Sequence, residues 1–355
     1  MTNPYDDQEA KAFWKTAVAE AGPFGLSGLW QPKFRIKPEH RIVTFGSCFA
    51  QHFGKALGAR GYNWTDCEPA PPFLHDTVGR DYGYGVFSAR TGNIYTPAML
   101  LQWLQLAFDE NPEIGEIWEQ DGRFYDPLRP AIEPGGFASE REVTDARLRT
   151  YAALRKAVTE ANVFVFTLGL TESWRNAETD LEYAMCPGTA AGTFDPEKHV
   201  FVNHSQRMTY RYLDNAVKFI RRRNRQVRIL LTVSPVPLTA TASNEHVLVA
   251  TQYSKSVLRA SAGLVAQDYA MVDYFPSFEI ITHPVFRGMF FAPNMRSVVP
   301  EGVNTVMGHF FADQERVFGK AQRSGRVKKA VAEREEPMAE ADLRCEEELL
   351  NAFAK

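Results

Sequence analysis

Apolar and polar positions along this chain follow two rhythms, and the change from one to the other repeats. Ile42-Val43-Thr44-Phe45 is a short continuous run rich in β-formers, followed at once by Gly46-Ser47. From Cys48 to Arg60 the apolar residues Phe49, Phe53, Ala56 and Leu57 then fall at helical spacing. A strand that feeds a helix through a tight glycine-containing turn is the basic unit of a parallel sheet. The unit recurs. LRTYAALRKAVTEA (148–161) is helical in pattern and leads into VFVFTLG (163–169), a continuous apolar run typical of a strand buried on both faces. SQRMTYRYLDNAVKFIRRRN (205–224) leads into RILLTVSP, LVATQYSKSVLRASAGLVAQ (248–267) leads into AMVDYFPS, and EGVNTVMGHFFAD (301–313) closes the series as a helix. Strands are expected at Ile42–Phe45, Val163–Thr167, Ile229–Val233 and near Met271–Tyr274. Four strands alternating with helices predict a doubly wound open sheet, whose ligands sit beyond the carboxyl ends of the strands.

The remaining segments are less regular. Residues 1–40 read as a short helix, Gln8 to Ala21, and a Pro/Gly-punctuated arm. Residues 61–147 carry Pro69, Pro71 and Pro72, a Gly/Tyr-rich DYGYGVF and the helix PAMLLQWLQLAF, and read as an irregular insertion or cap within a main domain of 41–312. Residues 313–355 read as a charged helical tail, basic first (Arg316, Lys320, Arg323, Arg326, Lys328, Lys329) and acidic later. Inside it, LRCEEELLNAF offers one apolar edge, Leu343, Leu350 and Phe353, to pack on the body or on a partner such as a second copy.

Composition narrows the function classes. The hydrophobic fraction of 45% over 355 residues suits a chain with a sizeable core, and a net charge of -3 gives no general pull toward nucleic acid or anionic lipid. No apolar run approaches the roughly 20 residues of a membrane span. The N-terminus lacks the basic and apolar regions of a signal peptide. Cys48, Cys67, Cys186 and Cys345 are widely spaced, as reduced thiols are. A cytoplasmic protein is expected. Neither a glycine-rich phosphate loop, a metal-ligand spacing nor a cofactor motif is present, so no metal and no cofactor is expected.

Ser47 holds the most informative position. A serine at a strand-to-helix turn sits where free N–H groups and the helix dipole favour developing negative charge. It attacks a carbonyl if a base takes its proton; otherwise it caps the helix, the commoner role of serine there. TLGLTESW (167–174) and SPVP (234–237) end at the same edge, and Gly92-Asn93-Ile94-Tyr95-Thr96-Pro97 precedes a helix.

Together these segments resemble a known family. GSCFAQHF at 46–53 is similar to the signature that names the GSCFA family, of the SGNH/GDSL hydrolase superfamily. GNIYTP, TLGLTESW, LLTVSPVPL, YSKSVLRA and DYFPSFEI resemble its later blocks in order, so the resemblance covers residues 30–312. It implies a flavodoxin-like, three-layer α/β/α fold with a central parallel sheet. It also implies Ser47 as nucleophile, with Gly92 and the serine N–H in the oxyanion hole. Thr171 stands where the superfamily pattern has asparagine, and a hydroxyl offers one donor where an amide offers two. Asn93 is a compensating donor, and Glu172 and Trp174 extend the same block as substrate-binding residues. The superfamily's base lies in Asp-x-x-His, which this chain lacks; the nearest equivalent is Asn294-Met295-Arg296-Ser297. His283, between the last strand and the last helix, is the first candidate to replace it, and His204 the second. The implied activity is serine-dependent hydrolysis or transfer of an acyl ester, on a small-molecule or carbohydrate ester. The alternatives are a binding protein with a degenerate site and a dimerising or partner-docking protein.

Overall fold

A computed structural model describes residues 3–110, 115–320 and 346–354. Cys345, Leu343 and most of the basic run of the tail lie outside the described residues. In chain order the strands are β1 (Ile42–Gly46), β2 (Trp118–Gln120), β3 (Arg123–Tyr125), β4 (Val163–Leu168), β5 (Glu172–Asn176), β6 (Glu182–Tyr183), β7 (His199–Asn203), β8 (Arg228–Val233) and β9 (Val272–Tyr274). The helices are α1 (Gly22–Gly25), α2 (Phe49–Ala59), α3 (Asp76–Asp81), α4 (Pro97–Ala107), α5 (Glu140–Glu160), α6 (Gln206–Arg223), α7 (Val247–Asp268), α8 (Ser277–Thr282) and α9 (Pro300–Phe318).

The four strands expected from the apolar runs form one parallel sheet in the order β1-β4-β8-β9. Every residue of β1 and β4 is buried, because helices cover both faces. On one face Phe45, Phe164, Phe166, Ile229 and Leu231 pack with Trp103, Leu154, Leu213 and Leu258 of α4 to α7. On the other, Ile42, Val163, Val165 and Leu230 pack with Phe49 and Phe53 of α2, Phe310 of α9, and Trp30 of the N-terminal arm. Register levels the strand ends: Gly46 lies opposite Thr167, and Leu168 opposite Val233. On the outer side of β1, Trp64 forms a single parallel bridge to Ile42. The chain therefore leaves β1 toward one side and returns on the other at β4, and the crevice between those two strand ends is where such sheets receive ligands.

Two small antiparallel sheets, β2-β3 and β6-β5-β7, are added outside this layer. Within 61–147, α4 belongs to the helix layer of the main sheet, packed on α5 and α6. The helix expected over Gln8–Ala21 is not continuous. The segment forms a 3-10 helical turn at Ala10–Ala12 and a π-helical turn at Lys15–Ala19, and neither buries a residue. Helical periodicity without a packing surface rarely holds a helix in water, and Trp14 remains 63% exposed. Among the described residues, no helix is long and apolar enough to cross a membrane.

Candidate active site

The edge at the carboxyl ends of β1, β4 and β8 is stitched together by backbone hydrogen bonds from the segments singled out in the sequence. Ile94 N–H donates to Gly46 O at 2.9 Å, seating the Gly92–Pro97 segment on the end of β1. Gly169 and Leu170 N–H both donate to Tyr95 O, at 2.8 and 3.1 Å, fixing the same segment to the end of β4. Ser234 N–H donates to Leu168 O at 2.8 Å and brings in the end of β8. Thr96 then caps α4, accepting from Met99 N–H at 3.0 Å.

Ser47 sits inside this frame, 2% exposed. Its N–H donates to Thr167 O at 3.0 Å, so that donor is already committed. Its hydroxyl is another matter. Helix α2 has no side-chain cap, and Ser47 Oγ has no hydrogen-bond partner among the described residues. The capping role expected of a serine at this turn is therefore not the one it plays. A buried hydroxyl with no partner costs about 1–3 kcal/mol, and such groups call for an explanation. Gly169 packs directly on Ser47: a β-carbon added at Gly169 would lie 3.0 Å from Ser47 Cβ and 3.0 Å from Tyr95 Cδ1.

The other expected residues divide into those the fold gathers here and those it does not. Gly92 is in the left-handed region (φ 66°), and a side chain there would press on Arg129 Cβ and on Glu346 Oε1. Asn93 is buried one residue before the Ile94 anchor. Thr171 is fully buried, but its hydroxyl donates to Asn203 Oδ1 at 2.8 Å and its N–H to Ser254 Oγ at 3.0 Å. Its donors therefore hold β5, β7 and α7 together. Glu172 and Trp174 line a cavity of about 420 Å³ together with Tyr95, Leu170 and Met99. Burial pushes the Glu172 carboxyl above its usual range, against the pull of a hydrogen bond from Thr241 Oγ1 at 2.7 Å. Gly169 packs on Ser47 and its neighbour Leu170 lines the cavity, while Ser47 itself is not among the lining residues.

The two histidines lie in different surroundings. His204 is fully buried behind Thr171, whose carbonyl accepts its N–H at 2.8 Å. Its ring faces Tyr212, and Nε2 lies 3.5 Å from Glu182 Oε2. Burial first, and the Arg175 charge second, push its pKa down to about 4, while burial raises Glu182 to about 6. His283 caps the short turn Pro284–Phe286, accepting from Val285 N–H at 3.2 Å, and its ring rests 5.5 Å from Trp14. It follows β9, at the opposite edge of the sheet from β1, and none of its described contacts is with Ser47, Gly92 or Thr171.

Lys255 is the residue that motif reading missed. It is 2% exposed on α7, and its Nζ donates to Gly169 O at 2.6 Å, so one glycine contacts both Lys255 and Ser47. Its signal was present in YSKSVLRASA: a lysine three and seven residues ahead of Leu258 and Ala262 lies on the buried stripe of the helix. Among the described residues, no group of histidine, cysteine, aspartate and glutamate has the arrangement of a metal site.

A family model described as the GSCFA family matches residues 41–310, well over half of the chain and spanning every strand of the parallel sheet. No curated protein matches the chain.

Proposed function

The chain belongs to the GSCFA family, and we propose that it is a serine-dependent acyl hydrolase or acyltransferase of the SGNH type, with a flavodoxin-like sheet and an ester substrate. The observation that carries this reading is the buried Ser47 hydroxyl, left without a partner among the described residues at the strand-to-helix turn, next to the Gly169-Leu170 pair that borders a cavity. In the proposed reaction Ser47 Oγ attacks the ester carbonyl and its proton passes to Lys255, held across Gly169 from the serine, once the ammonium has given up a proton of its own. The ester C–O bond breaks, the leaving alkoxide takes the proton from Lys255, and the acyl group remains on Ser47. Water, or the hydroxyl of a carbohydrate acceptor, then reverses these steps. The positive end of α2 and the Gly92–Asn93 turn face the developing oxyanion.

The test is hydrolysis of a short activated ester by four proteins. The wild type is expected to turn it over, Ser47→Ala to be inactive, and Lys255→Met to be slower by about 10²-fold or more. His283→Ala is expected to match the wild type; if it alone is inactive and Lys255→Met is not, the proton goes to His283. A binding protein built on the same edge is the second reading. It is favoured by the commitment of Ser47 N–H to Thr167 and of the Thr171 hydroxyl to Asn203, two donors an oxyanion hole of this type would use. It predicts ligand binding without turnover at any pH.

A further inference from the structure

The turn Glu346–Phe353 lies against the Ser47 edge, and its contacts resemble those of a ligand more than those of a core element. Glu346 Oε1 approaches Gly92 to within 3.1 Å of where a β-carbon would stand. Glu347 is 8% exposed, with its carboxylate 3.2 Å from Arg296 Nη2; Glu348 lies 3.3 Å from Arg296 Nη1. Burial raises the Glu347 carboxyl, and the charges of Arg296 and Lys255 pull against that rise. Leu350 and Phe353 line the cavity beside Tyr95, Leu170 and Trp174. Leu349 and Phe353 stay 44% and 62% exposed, so the turn is held largely through its acidic end. Arg296 belongs to the stretch that stands where the base motif of the superfamily is missing.

We infer that Arg296 and this cavity form a subsite beside Ser47 for a carboxylate carried on an apolar body, and that the chain's own acidic turn fills it in competition with such a ligand. The guanidinium supplies a planar pair of donors suited to a carboxylate, and the cavity takes the apolar part. The inference rests on the serine reading for what the subsite serves, an acyl ester bearing a free acid. Binding itself does not depend on Ser47. A protein whose competent state is only partly populated binds with its affinity reduced by that fraction, so loosening the turn must tighten binding.

The experiment measures decanoate binding by calorimetry, with decanol as the uncharged control, on the full chain. Glu347→Gln combined with Leu350→Ala is expected to bind decanoate about tenfold or more tightly than the wild type. Adding Arg296→Met to that variant is expected to lose the gain; Arg296→Lys, which keeps the charge without the fork, serves if the Met variant does not fold and is expected to lose it in part. Decanol is expected to respond to neither Arg296 change. Equal decanoate affinity with and without the turn substitutions, or with and without Arg296, would overturn the inference. The wild type separates the two ideas: decanoate bound as expected by a wild-type protein that turns over no ester leaves the subsite standing and the acyl-transfer reading fallen, while Ser47→Ala is expected to bind decanoate as the wild type does.

Discussion

Gly46 and Ser47 act through atoms they lack or leave unused. At Gly46 the backbone has φ 131°, and a β-carbon would meet Thr167 O at 2.2 Å, the same carbonyl that accepts Ser47 N–H. Gly46→Ala is therefore expected to destabilise by about 4 kcal/mol or more, read as a fall in the urea midpoint; a small shift would mean that β1 and β4 can separate cheaply. Ser47→Ala should do the reverse. It removes a buried hydroxyl that has no partner among the described residues, so stability should hold or rise by up to about 1 kcal/mol, and a clear loss would reveal a hidden hydrogen bond. His52, 4% exposed on α2, is pushed down to about 3 by burial, with the Lys55 charge acting in the same direction. Above pH 6.5 it is neutral in both folded and unfolded chains. Below that pH the unfolded chain takes a proton that the folded chain refuses, so stability falls as pH drops from 6.5 toward about 3. His52→Leu should flatten that fall when melting is followed from pH 7.5 to 4.5. His204 acts in the same sense and Glu182 in the opposite one, and both are present in each protein, so parallel curves would clear His52. At this scale the sequence announced Ser47, because a serine after an apolar run and a glycine has few places to be. It did not announce Arg296, which lies in a loop where no periodicity ties a residue to a face.

Among the elements, the Gly92 turn depends on a buried ionic support. Asp126 accepts from Arg129 Nε at 2.9 Å and from Arg147 Nη2 at 2.7 Å, and the Asp126 and Arg129 side chains are wholly buried. Burial pushes the Asp126 carboxyl up, yet the Arg147 and Arg129 charges outweigh it and hold it below the usual range. Arg129 also donates to Thr150 Oγ1 at 2.6 Å and to the Arg90 carbonyl, while its Cβ underlies Gly92. Asp126→Ala leaves two buried guanidinium groups without their carboxylate and should cost about 3–5 kcal/mol in a urea titration. A loss under about 1 kcal/mol would show that water reaches them. Elements whose pattern coincided with a packing surface were legible: the four strand runs, and α5, α6, α7 and α9. Gln8–Ala21 had the pattern without the surface and broke into short 3-10 and π-helical turns, and α4 emerged from a segment whose prolines and glycines concealed that it joins the helix layer.

For the molecule as a whole, strand order places the chemistry. The chain leaves β1 toward Trp64 on one side and re-enters at β4 on the other, so the ends of β1, β4 and β8 frame one crevice holding Ser47 and Gly169, and Leu170, the next residue along the chain, lines the cavity. Alternating strands and helices made that crevice foreseeable, whereas for the acidic turn the sequence offered an apolar edge, Leu350 and Phe353, to pack on the body or a partner, without saying which part of the body receives it. The central claim is that Ser47 is a nucleophile. Its most direct test is peptide mass spectrometry after exposure of the wild type, and of the Glu347→Gln variant with its loosened turn, to a fluorophosphonate probe. The account predicts a single phosphonylated residue, Ser47, with labelling lost in Ser47→Ala while the melting temperature holds. No adduct on either protein between pH 6 and 9, or an adduct on another residue that survives Ser47→Ala, would contradict it.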